Sequence, residues 1–94
     1  DAEAYYQLGL LFETGVSVPL DTAEAAKNYQ KSVTLGNEKA MLALARMYQF
    51  GVGLAEDKLK ARALYEQLSQ LGEPFATYQL GILTLPSKKT PEQA

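Results

Sequence analysis

Apolar side chains recur along this chain at three- and four-residue intervals, the spacing of one face of a helix. Ala4, Leu8, Leu11 and Phe12 form the first such run, and Gly15 interrupts it. A second run, Ala25, Tyr29 and Val33, opens after Pro19 and Asp21 and closes at Gly36. The order then returns. Ala40, Leu44, Met47 and Tyr48 stop at Gly51, and Ala61, Leu64, Tyr65 and Leu68 stop at Gly72. A last run carries Phe75, Tyr78, Leu80 and Leu83, and Pro86 ends it. Glycine closes helices because it accepts the left-handed backbone that satisfies the last carbonyls. Asp21 and Asp57 stand where a carboxylate accepts from first-turn amides, and Glu24, three after Asp21, gives a capping-box-like pattern. No period-two run of β-branched residues appears, so strands are not expected.

Shifted by 36 positions, the chain meets itself. Ala4, Leu8, Gly15, Val16, Asp21, Ala25, Tyr29, Leu35 and Gly36 fall on Ala40, Leu44, Gly51, Val52, Asp57, Ala61, Tyr65, Leu71 and Gly72, all identical pairs. A second shift lays AYYQLGLL (4–11) on ATYQLGIL (76–83). A helix pair repeated at this period cannot bury its apolar face alone and must stack on its neighbours. The expected fold is therefore all-α. It is a superhelix, or solenoid, of stacked antiparallel hairpins within one domain over residues 1–94. Repeat one covers 4–39, repeat two 40–75 and a partial third 76–94. Gly9, Ala45 and Gly81 share a mid-helix position, where a bare surface lets Ala25 with Tyr29, and Ala61 with Tyr65, approach closely. Near the end, Thr90 as N-cap, Pro91 at the first helical position and Gln93 read as a helix start. The expectation is a fragment of a longer protein, with Leu80 and Leu83 incompletely covered. Self-association or fraying through that exposed end follows from the same reading.

The repetition decides the meaning of FGVGLAED (50–57). Two glycines before a helix can cradle a phosphate, but that motif follows a strand and occurs once. Here it follows a helix pattern and recurs as GVSVPLD at 15–21, so it reads as a turn. Composition narrows the chemistry further. With no cysteine and no histidine, the chain lacks thiolate metal sites, cysteine nucleophiles and the commonest general base. Glu56 and Asp57 are adjacent, a spacing that does not bring side chains face to face. No enzyme activity, metal or cofactor is expected. A net charge of −2 and a pI near 5.0 speak against nucleic acid, and Lys58, Lys60 and Arg62 read as a solvated helix face. Arg46 breaks the apolar stretch MLALARMYQF, and no run is long enough to span a membrane.

The order Ala-x-x-x-Leu-Gly-x-x-Phe-x-x-Gly-Val, Asp, Ala-x-x-x-Tyr, Leu-Gly resembles the Sel-one-like repeat family of the tetratricopeptide-like superfamily. The second copy, ALARMYQFGVGLAEDKLKARALYEQLSQLG, matches it best. Ser17 replaces the second loop glycine in the first copy, Asn28 and Leu64 stand where an aromatic often precedes the tyrosine, and Leu68 stands where a small residue is usual. The resemblance implies a right-handed superhelix and a scaffold or adaptor that binds proteins or peptides. It also points to bacterial members that are envelope-associated, periplasmic or exported, with the cytoplasm left open.

Such solenoids bind along a concave side lined by the first helix of each repeat. With Ala4, Tyr5, Leu8, Gly9, Phe12 and their equivalents assigned to packing, the remaining face carries Tyr6, Leu10 and Glu13 beside Glu3. One repeat on it carries Leu42, Arg46 and Gln49 beside Lys39, and in the third it carries Phe75, Tyr78 and Ile82. Tyr and Arg are frequent interface anchors, and Arg46 can hold a carboxylate through two parallel bonds. The sequence reading is thus a groove gripping a peptide or protein segment through Arg46, flanked by Tyr6 and Tyr78. Its alternatives are that these tyrosines only pack between adjacent helices, that Arg46 pairs with Glu13 or Gln49, and that the chain is a spacer within a longer solenoid.

Overall fold

The structure, a computed structural model, describes residues 1–84. Five helices follow one another: α1 (Ala2–Thr14), α2 (Thr22–Thr34), α3 (Glu38–Phe50), α4 (Lys58–Gln70) and α5 (Pro74–Thr84). No strand occurs among the described residues. Each helix packs on the next in chain order, so the hairpins α1–α2 and α3–α4 stack with α5 against the end. The expected helix start at Thr90, Pro91 and Gln93, and the termination at Pro86, lie outside the described residues.

The two hairpins end their helices by the same devices. Gly15 and Gly51 adopt left-handed backbone (φ 74° and 69°) and donate to the carbonyls of Leu11 and Met47. The N–H groups of Asp21 and Asp57 then return to the carbonyls of Phe12 and Tyr48, both at 2.9 Å. Each loop is thereby tied at its far end to the helix it left. The turns between hairpins are tighter. Gly36 donates to Val33 and Asn37 to Ser32, and Gly72 and Glu73 repeat this on Ser69 and Leu68. That pair of hydrogen bonds is the Schellman closure.

Asp21 and Asp57 cap α2 and α4 as expected, accepting from the amides of Glu24 and Lys60 at 3.1 Å. The capping box is only half formed. The Asp21 amide is taken by Phe12, and Glu24 turns instead toward Lys27 at 3.9 Å. Three further caps escaped the sequence reading. Asp1, Asn37 and Glu73 accept from the amides of Ala4, Ala40 and Ala76. They recur at the repeat period, which is the signal that could have found them.

The core lies between repeats as much as within them. One cluster joins Ala25, Ala26 and Tyr29 of α2 to Ala40, Ala43, Leu44 and Met47 of α3. A second joins Met41 and Ala45 of α3 to Ala61, Tyr65 and Leu68 of α4 and Ala76 of α5. The close approach expected at Gly9 is present: a Cβ there would lie 2.5 Å from the Tyr29 ring. The packing role assigned to Ala4 and Leu8 is not observed. Both are exposed, whereas their equivalents Ala40 and Leu44 are buried. The reason is positional, because α3 has α2 on one side and α4 on the other, whereas α1 packs on α2.

Gly53 makes a second close approach. With φ at 78°, its missing Cβ would fall 2.2 Å from the Thr22 carbonyl oxygen, at the start of α2. The loop of repeat two therefore seats directly on repeat one. At the equivalent position of repeat one, Ser17 holds the same left-handed backbone at φ 70°.

Candidate interaction face

The residues expected to line the binding face divide into three groups. Tyr6 and Leu10 are half-buried against the first core cluster, and Leu42 is half-buried against the second. The Tyr6 ring lies 5.9 Å from that of Tyr29, tilted by 40°. Lys39 reaches back from α3, with its Nζ 5.7 Å from the Tyr6 centroid and 3.8 Å from Glu3. Tyr6 is thus packed on the α2 tyrosine and approached by Lys39 from α3.

Glu13 and Gln49 form the second group. They occupy the same repeat position and perform the same task on the buried tyrosines. The Tyr29 hydroxyl donates to the Glu13 carboxylate, and the Tyr65 hydroxyl donates to Gln49 Oε1 at 2.8 Å. Gln49 also donates through Nε2 to Gln79 of α5 at 3.1 Å. Gln49 is buried, and both ends of its amide are bonded within the fold. It therefore has no free surface to offer a partner, contrary to its placement on an open groove. The spacing of 16 residues to each tyrosine was readable in both copies.

Burial pushes the pKa of the Tyr29 phenol well above its ordinary value, and the hydrogen bond to Glu13 adds to the shift. Burial raises that of Tyr65 as well. In both cases the Arg46 guanidinium pulls weakly the other way, so its charge is felt at both hydroxyls.

Arg46 leads the third group, the exposed one. No carboxylate lies within ion-pair distance of it among the described residues; the pairs found join Lys27–Glu24, Lys39–Glu3, Lys58–Glu56 and Arg62–Glu66. It borders a hollow of about 120 Å³ with Glu13, Met47, Phe50 and Val52. Phe50 is 68% exposed, and the sequence reading had not singled it out. Its place four residues after Arg46, on the same helix face, was the available clue. On α5, Phe75, Tyr78 and Ile82 share one stripe and are exposed, Tyr78 by 65%. Among the described residues no group of three metal-ligating side chains forms, and no helix is long and apolar enough to cross a membrane.

Antiparallel helix pairs stacked in register, with a shared first-helix face, define a helical-repeat solenoid. The Sel1 repeat profile matches residues 2–37 and 38–73, and the chain belongs to the Sel1 repeat family. Two solved structures share the fold. One is a protective antigen of uropathogenic Escherichia coli strains displaying an SLR fold (TM-score 0.85, 35% identity, 88% of this chain and 18% of that one). The other is a Sel1 repeat protein from Oxalobacter formigenes (TM-score 0.84, 36% identity, 88% of this chain and 24% of that one). Among curated relatives, the HRD3 component of an ERAD-associated E3 ubiquitin-protein ligase from Candida glabrata is 32% identical over 72 residues, 74% of this chain. DAP3-binding cell death enhancer 1 of Rattus norvegicus is 38% identical over 48 residues, 51% of this chain. The chain spans 9% of the length of each of these two relatives.

Proposed function

We propose that this chain is a non-catalytic protein-interaction module that takes a peptide or protein segment on the face lined by α1, α3 and α5. The observation that carries the reading is Arg46: an exposed guanidinium without an ion-pair partner among the described residues, set beside the exposed Phe50 and a hollow lined by Glu13, Met47 and Val52. A desolvated guanidinium can hold a carboxylate through two bonds while neighbouring rings supply apolar contact. The exposed stripe of Phe75, Tyr78 and Ile82 extends that face by one repeat. Relatives named as a ubiquitin-ligase component and as DAP3-binding support a role in protein assembly. In this reading Arg46, Phe50, Tyr78 and Ile82 touch the partner, while Tyr6, Leu10, Leu42, Glu13 and Gln49 hold the helices that present them.

The test begins with affinity capture by the intact protein, followed by titration of the captured partner against variants. Replacing Arg46 and Tyr78 together by alanine is expected to abolish binding and leave the far-ultraviolet circular dichroism unchanged. Unaltered affinity in that variant overturns this face as the binding site, and capture of no partner leaves the module a spacer.

A further inference from the structure

A second surface lies away from the Arg46 face. Two adjoining hollows, of about 430 and 370 Å³, share Lys27 and Gln30 of α2. Together they form one trough along α2. Leu44 contributes to the first hollow, and Tyr48, from the same helix α3, contributes to the second. Tyr48 ties the two sides. Its hydroxyl accepts from Gln30 Nε2 at 3.3 Å, and Lys60 of α4 sets its ammonium 5.4 Å from the ring centroid.

The first hollow is basic in a chain that is acidic as a whole, and the second carries both signs. Lys27 and Lys31 line the first hollow, and no carboxylate does. Lys60 lines the second. Of the two carboxylates there, Glu56 is paired with Lys58 at 3.3 Å and Asp57 is occupied in capping α4. Lys31 and Lys60 make no ion pair among the described residues; each rests on an aromatic ring, Tyr5 and Tyr48, at 5.4 Å. Lys27 keeps only a long contact with Glu24, at 3.9 Å between exposed side chains. Ammonium groups held by such weak contacts exchange them readily for a carboxylate.

We propose that this trough binds an acidic peptide segment of a partner protein, with an apolar side chain against Val33 and Tyr48 and carboxylates on Lys27, Lys31 and Lys60. A polynucleotide fits less well. It needs a dense basic stripe, whereas here three lysines border an apolar floor and Glu56 and Asp57 line the second hollow beside Lys60. With a segment here and another on the Arg46 face, one hairpin pair bridges two partners.

The experiment titrates the full chain into a dye-labelled peptide of repeated Glu-Glu-Leu and follows fluorescence anisotropy. Binding is expected, to weaken as salt is raised, and to vanish when glutamine replaces every glutamate. The pair Lys31→Glu and Lys60→Glu is expected to weaken it by roughly tenfold or more. In the unaltered chain, amide resonances of Gln30 and Tyr48 are expected to move on titration, a readout that needs no variant to fold. Absence of binding overturns the proposal. So do retained affinity in the charge-reversed pair, resonance shifts confined to Arg46 and Phe50, and tighter binding of a single-stranded oligonucleotide or of phosphatidylserine vesicles.

Discussion

The two hairpins share one repeat pattern, with nine identical positions at the 36-residue shift, yet they are not equally buried. In α3 seven residues are buried, namely Ala40, Met41, Ala43, Leu44, Ala45, Met47 and Gln49; in α1 only Gly9 is. Leu44 is 4% exposed and its identical counterpart Leu8 is 39% exposed. Identity of sequence therefore does not set burial in a stacked array; neighbours do. The polar position follows suit. Glu13 and Gln49 each hold a tyrosine hydroxyl, but only Gln49 reaches on to the next helix, at Gln79. A carboxylate suffices where one donor must be met. An amide is required where a donor and an acceptor must be met together.

That contrast can be broken most forcefully by matched truncations. Leu44→Ala is expected to cost ~2–5 kcal/mol, the range for a buried leucine, and Leu8→Ala well under half of that. Chemical denaturation of both variants checks it, and equal losses would show that the hairpins are equivalent after all. Next come the loops. Gly53→Ser must fit a side chain against the Thr22 carbonyl as well as bear left-handed strain, and should cost ~1–3 kcal/mol. The reverse exchange, Ser17→Gly, is expected to raise stability by less than ~1 kcal/mol, since relieved strain is partly offset by a looser unfolded chain. Thermal melts of the two distinguish them by sign.

A finer comparison concerns the tyrosines. Tyr29→Phe removes a bond to a half-exposed carboxylate that water can then meet, whereas Tyr65→Phe leaves the buried Gln49 oxygen unmet; each is expected to cost ~1–3 kcal/mol. Alkaline pH supplies the smallest effect. Both phenols are raised above their ordinary value, so the folded state keeps protons that the unfolded state releases. Stability contributed by these groups is fully present below about pH 10 and falls above it, by no more than about 1.4 kcal/mol per pH unit for each tyrosine. Denaturant midpoints measured across that window should fall less steeply in Tyr29→Phe than in the unaltered chain.

Much of the architecture was legible because it is written twice. The period, the glycine stops, the aspartate caps and the fit of Tyr29 against Gly9 all follow from residues in known local roles. The rest depends on contacts between repeats, which sequence spacing does not carry. Ala4 and Ala40 read alike and are buried differently. Glu24 fits a capping box, but the backbone of Phe12 claims the amide that box needs. On the candidate face, spacing placed Arg46, Phe75, Tyr78 and Ile82 together, and all four are exposed. It could not show that Gln49 is enclosed, because an amide at a helix surface looks the same whether water or a phenol meets it.

The amides of Asp21 and Asp57, fastened to Phe12 and Tyr48, have a practical corollary. What lies between glycine stop and aspartate start hangs from two fixed posts. Extra chain spliced there leaves the posts where they are, and each doubling of its length costs only about 0.6 kcal/mol. The Schellman turns at Gly36 and Gly72 offer no such slack. Grafted epitopes or tags therefore belong at one edge of this molecule, and in the first hairpin before the second, where Gly53 already has Thr22 for company.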